Sequence, residues 1–220
     1  MSTQHTYTED YIETVFRNRW ARIYSDALNP LILSVIIVPI SAFLINLPVV
    51  EWALMGFSAF LFLGLLPYLF LIHRIHNQKA ESIDLQERLQ RIAPFLFVIS
   101  LYVVYSAGLY IWQPGGNHYM LIIVACYGTC ALIGALITRY WKISLHTSCL
   151  TATWVVLYLQ LIQHNYSDML LLTLSLVGFS SIFLMGWARK VLCVHTTAQV
   201  IGGFLFGMII PPLFFYYFLF

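Results

Sequence analysis

The chain alternates between long apolar runs and short polar breaks. Crossing the roughly 30 Å hydrocarbon core of a bilayer takes about 20 apolar residues in a helix. Seven windows approach that length: Pro30 to Leu47, Trp52 to Ile72, Phe95 to Trp112, Tyr119 to Thr138, His146 to Ile162, Met169 to Trp187 and Thr197 to Phe218. The first opens on Asn29-Pro30, a capping residue followed by a proline at the first helical position, where the missing N–H costs nothing. A short turn, Gln113 to Asn117, divides the third from the fourth. The fifth is short and opens on polar residues, which makes it the weakest of the seven. The pattern predicts an all-α, polytopic transmembrane helix bundle of about seven spans, with six also allowed.

Ahead of the first span, Tyr11, Ile12, Val15, Phe16, Trp20, Ile23 and Tyr24 recur at helical spacing, with Arg17, Arg19 and Arg22 near the end of the stretch. That spacing predicts an amphipathic helix over Tyr7 to Tyr24 lying in the membrane interface. It divides the chain into an N-terminal interfacial segment, 1–28, and a transmembrane domain, 29–220. No signal-peptide cleavage pattern follows, so the segment is expected to be retained. The long polar connection is His73 to Pro94, carrying Arg74, Lys79, Glu81, Asp84, Glu87, Arg88 and Arg91. A connection of that size usually has a function.

Composition narrows the class. Of 220 residues, 60% are hydrophobic and 9% charged, and the mean hydropathy is +0.82. A soluble domain carries roughly a quarter charged residues, so a soluble enzyme, a secreted disulfide scaffold and a disordered tail are excluded. The net charge of +2 is too small, and the basic residues too scattered, for a nucleic-acid partner. Cys126, Cys130, Cys149 and Cys193 lie in or beside apolar runs and read as small packing residues. No Cys-His spacing suits zinc and no carboxylate cluster suits magnesium, so neither a metal nor another cofactor is expected.

Seven crossings place the N-terminus, the 73–94 connection and the 139–145 and 188–196 segments on one face. All eleven Lys and Arg residues then fall on that face, while the opposite loops carry only Glu51 and Asp168. The excess of positive charge assigns that face to the cytoplasm.

Three polar clusters stand at span ends on this face, where ionisable groups are costly unless they serve a site. They are Arg88-Leu-Gln-Arg91-Ile-Ala-Pro94, Lys142-Ile-Ser144-Leu-His146 and Arg189-Lys-Val-Leu-Cys-Val-His195-Thr-Thr-Ala-Gln199. Arg88 and Arg91, three apart, would point in similar directions on a helix. Guanidinium groups bind phosphate oxygens bidentately and neutralise charge on a transferring phosphoryl group. One histidine can attack phosphorus while a second protonates the leaving oxygen. His73, His76, His118 and His164 read instead as interfacial anchors.

These clusters resemble the signatures of the type-2 phosphatidic acid phosphatase superfamily of integral membrane lipid phosphatases. Arg189 and His195 are separated by five residues, with Thr196, Gln199 and Gly203 following. Ser144-Leu145-His146 is similar to a Pro-Ser-Gly-His signature that has lost its Pro and Gly. Arg88, Arg91 and Pro94 resemble a loose form of the first, Arg-containing signature. The likeness runs from about residue 84 to 207.

The resemblance implies hydrolysis of a phosphomonoester or pyrophosphate on a membrane lipid through a phosphohistidine. His195 would be the nucleophile and His146 the acid. Arg189, Arg91, Arg88, Ser144 and Lys142 would hold the phosphate, and Gln199 would orient His195. Two positions depart from the family: Ala188 stands in place of a serine, and Gln199 in place of an aspartate. Being neutral, a glutamine stabilises an imidazolium less. Transfer of the phosphoryl group to another acceptor, or lipid binding without catalysis, are the alternative functions. The expected partners are a lipid phosphate and membrane lipids. Gly203 and Gly207, a GxxxG pair, suit either close helix packing within the chain or a homodimer.

Overall fold

The computed structural model describes residues 18–80, 83–85, 87–116 and 118–219. Among them all regular structure is helical, in the order α1 (Arg19–Ala27), α2 (Pro30–Leu44), α3 (Val49–His76), α4 (Ile92–Trp112), α5 (Tyr119–Tyr140), α6 (Leu145–Gln163), α7 (Asp168–Val191) and α8 (Thr197–Leu219). The chain is an integral membrane protein by this architecture, since the six helices from α3 to α8 are each long and apolar enough to cross a bilayer. Helix α3 widens into a π turn at Phe60–Leu65. Pro67, just beyond, lacks an N–H and would crowd the carbonyl four residues back, and the wider turn relieves that conflict.

The first predicted span is revised. Helix α2 has 15 residues, about 22 Å at 1.5 Å per residue, and alone falls short of the hydrocarbon thickness. Together α1 and α2, bent by 41° at Leu28-Asn29, supply a seventh candidate crossing. The bend has a local cause. A residue before proline is driven out of the helical region, and Asn29 adopts φ −63°, ψ 142° while its side chain accepts the Leu31 N–H at 2.9 Å.

The N-terminal helix is described from Arg19 to Ala27. Its predicted part from Tyr7 to Arg17 lies outside the described residues. Its end packs one face against α7, with Ala21 buried against Ala188 and Leu192, while Trp20 and Ile23 stay exposed. The Tyr24 hydroxyl donates to the Ser181 carbonyl at 2.8 Å. Residues 19–27 thus pack against the bundle.

Helix α6, the weakest of the predicted spans, is the central one. Of its most apolar window 67% is buried, against 17 to 33% for the other five. Its polar residues face other helices rather than water. Tyr127 donates to Thr153 at 2.6 Å, and Gln160 donates to Ser41 at 2.9 Å. Helix α8 lies along α6 through Gly203 and Gly207. A Cβ on Gly203 would stand 2.6 Å from the Ser144 carbonyl oxygen, and one on Gly207 would stand 2.6 Å from that of Ser148. The GxxxG face is therefore filled by α6 of the same chain.

Ties between loops establish the alternation of the helices. At one end Glu51 accepts the Gly115 N–H at 2.8 Å, Tyr119 donates to Gln163 at 3.0 Å and Tyr166 donates to the Leu44 carbonyl. At the other end residues 83–85, Ile143 and His195 come together around one cavity.

Candidate active site

The connection from α7 to α8 carries His195. Helix α8 begins with Thr196-Thr-Ala-Gln199, a reciprocal capping box. The Thr196 hydroxyl accepts the Gln199 N–H at 3.4 Å, and Gln199 Oε1 accepts the Thr196 N–H at 3.2 Å. That second bond identifies which amide atom is oxygen. The same Oε1 lies 3.0 Å from His195 Nδ1. A carbonyl oxygen only accepts, so Nδ1 carries the hydrogen and Nε2 keeps its lone pair. Gln199 thus begins the helix and sets the tautomer of His195 with one atom. Burial, together with the positive charges of Arg189 and Arg91, pushes the His195 imidazole down to about 3 against the opposing pull of Gln199. At neutral pH His195 is an uncharged base.

Arg189, in the last turn of α7, is 1% exposed. Its Nη1 donates to the Ser25 hydroxyl at 2.8 Å, and its Nη2 lies 2.9 Å from Asp84 Oδ1. The other Asp84 oxygen takes Nη1 of Arg22, whose Nε holds Asp26 at 2.8 Å. Helix α1 therefore supplies Arg22 and Ser25 to the same cluster. Arg189 Nε is buried without a partner, as is Nε2 of His146. Buried polar atoms are nearly always paired, and these two belong to residues that line one cavity.

Arg88 and Arg91 flank a 3-10 turn that leads into α4. Arg91 is buried and clamps two connections, its Nε donating to the Leu85 carbonyl at 2.8 Å and its Nη1 to the Ile143 carbonyl at 3.2 Å. Arg88, one turn farther out, is exposed and donates to the Tyr140 carbonyl at 2.7 Å. That contact satisfies an orphan carbonyl at the end of α5. The two arginines do not act together. Ser144 is fully buried, its hydroxyl paired with that of Thr147 at 3.0 Å and its N–H donating to the Gln199 carbonyl at 3.2 Å. It joins the two motifs through the backbone, and its hydroxyl is already engaged. Lys142 is half-buried nearby, and burial plus the charges of Arg91 and Arg189 push its ammonium down to about 8.

One cavity of about 210 Å³ gathers the rest: Arg91, His146, Arg189, His195 and Asp84 line its polar end. Phe70, Leu71, Val98 and Tyr102 continue it as an apolar slot between helices. Of the eight residues proposed from sequence, the cavity wall includes His195, His146, Arg189 and Arg91. Gln199 supports it from behind, Lys142 contributes charge, and Arg88 and Ser144 lie off it. Among the described residues no three His, Cys, Asp or Glu side chains gather as a metal site.

Sequence reasoning missed Asp84, Arg22 and Ser25. Asp84 lies in a connection rich in charges, where nothing local distinguishes it. A balance of charge contained the signal, since two buried guanidinium groups require an anion. Comparison with protein-family models, with curated proteins and with solved structures gives no match for this chain.

Proposed function

We propose that the protein is a metal-independent lipid phosphate phosphatase, a divergent member of the type-2 phosphatidic acid phosphatase superfamily. The observation that carries this reading is the sharing of one cavity by His195, His146, Arg189 and Arg91, which come from three separate stretches of sequence. In the proposed reaction His195 Nε2, held ready by the Nδ1–H bond to Gln199, attacks phosphorus in line. The bond to the lipid oxygen breaks as His146, protonated alongside the bound phosphate, delivers that proton to it. Water then attacks the phosphohistidine with His146 taking its proton, which releases inorganic phosphate and restores His195 as the imidazole and His146 as the imidazolium. Arg189 and Arg91 neutralise charge on the phosphoryl oxygens in both steps.

The apolar slot that continues from the polar end suits the tail of a lipid whose headgroup reaches the histidines. The face carrying these residues is the cytoplasmic one, by the distribution of Lys and Arg. Release of phosphate from a panel of lipid phosphates in detergent tests the reading, with wild type beside His195→Ala. Turnover confined to the wild type is expected. Equal turnover by a folded His195→Ala variant would refute the mechanism.

A further inference from the structure

The phosphate position postulated above is not vacant of anions. The Asp84 carboxylate bridges Arg189 and Arg22, lines the cavity with both histidines, and is itself buried. The backbone of the same turn also engages the second guanidinium, because Arg91 Nε donates to the Leu85 carbonyl at 2.8 Å and Nη2 lies 3.4 Å from that of Asp84. Arg189 and Arg91 are therefore both bound to the adjacent residues Asp84 and Leu85.

Arg189 Nη2 is the donor in question, because Asp84 Oδ1 already lies 2.9 Å from it. A phosphate oxygen that took this donor would stand against the carboxylate. In a water-poor site like charges at contact distance repel strongly, so the two anions compete for Arg189.

Resting on the phosphatase reading, we infer that Asp84 is a built-in competitor: it occupies the anion position of the resting enzyme, and a phosphate takes its place on Arg189. Arg22, released from Asp84 by the exchange, is then a further phosphate ligand, delivered by α1. This assigns the N-terminal helix a part in substrate binding that no motif assigned to it. The arrangement also keeps two guanidinium groups compensated while no substrate is bound. Sulfate and other free oxyanions must overcome the same carboxylate, so the device selects for ligands that bring additional binding from a lipid tail.

The probe is inorganic phosphate, titrated into purified protein in detergent and followed by thermal shift and calorimetry. Asp84→Asn keeps an oxygen acceptor for Arg189 while removing the charge, and should bind phosphate at least about tenfold more tightly than wild type. Asp84→Glu keeps the charge and should bind like wild type. Hydrogen exchange on the wild type provides a readout independent of folding by variants. Saturating phosphate should speed exchange at the 83–85 amides, and slowed or unchanged exchange there would overturn the exchange of anions. Equal or weaker binding of phosphate by a folded Asp84→Asn would likewise show Asp84 to be a fixed anchor for Arg189. No phosphate binding to either form would overturn the anion site itself. Turnover of lipid phosphates by wild type separates the two readings. Hydrolysis with unaltered phosphate affinity in Asp84→Asn removes only the exchange, whereas tighter phosphate binding without any hydrolysis removes only the phosphatase.

Discussion

Replacing Gln199 separates the two tasks its side chain performs. In Gln199→Leu the Oε1 atom is lost, and with it the bonds from His195 Nδ1 at 3.0 Å and from the Thr196 N–H at 3.2 Å. A hydrogen bond of this kind has a net value of about 1 kcal/mol. The Thr196 bond is part of a helix cap, and its loss should appear in stability, again by about 1 kcal/mol. The His195 bond holds the ring in the tautomer that exposes Nε2. If its loss appears wholly in the barrier, kcat falls roughly fivefold to tenfold, and farther if the ring turns over. Gln199→Glu keeps both acceptors and adds a negative charge beside the imidazole. The charge favours the imidazolium, so the pKa of His195 rises from about 3 toward neutrality. Phosphate release against pH, measured for the three proteins, separates the effects. The acid limb of kcat/KM for Gln199→Glu should lie above that of wild type, with the ionisation of the substrate common to both. Gln199→Leu should lose kcat at every pH. An unchanged kcat in Gln199→Leu, or coincident profiles for wild type and Gln199→Glu, would refute the role assigned to this residue.

Other consequences are as direct. The folded-state pKa of His195, about 3, lies below its ordinary 6.5, so unfolding takes up a proton between these values and the stability contributed by the neutral ring is lost as pH falls through that window. Melting in detergent should therefore drop on acidification below pH 6.5, and His195→Gln should flatten that dependence. Arg91→Ala strips donors from the Leu85 and Ile143 carbonyls, at about 1.5–3 kcal/mol for a charged hydrogen bond, and should abolish activity; Arg88→Ala, at an exposed site, should shift stability by within about 0.5 kcal/mol and leave turnover nearly intact. Melting curves and phosphate release on both variants check the pair. Gly207→Ala puts a methyl 2.6 Å from the Ser148 carbonyl oxygen and 2.8 Å from the Ala152 nitrogen, an overpacking of about 1–3 kcal/mol that should lower the melting temperature in detergent.

Hydropathy made the helices legible because spanning a bilayer demands long apolar windows, and six of the seven windows correspond closely to single helices. The first window overran its helix, and the fifth was placed correctly but undervalued. Helix α2 ends at Leu44, three residues short of its predicted end, and its crossing is completed by α1 across the Asn29-Pro30 bend. Helix α6 is polar because Thr153 and Gln160 pair with neighbouring helices, as a central helix allows. In the site, spacing within one segment was readable, as with Arg189, His195 and Gln199. Spacing could not reveal that Ser144 turns its hydroxyl to Thr147, or that Arg88 stops at the end of α5. Asp84, Arg22 and Ser25 were illegible for a related reason. The contacts that matter span much of the chain, and only the fold brings Asp84 to both Arg22 and Arg189, and Ser25 to Arg189.

The central claim is that His195 becomes covalently phosphorylated. Rapid quenching of the enzyme during turnover of a lipid phosphate, followed by alkaline digestion-compatible mass spectrometry, looks for the intermediate itself. A phosphoryl group on His195, formed and discharged at the rate of turnover and absent from His195→Ala, is the predicted result. Full turnover with His195 never modified would contradict it.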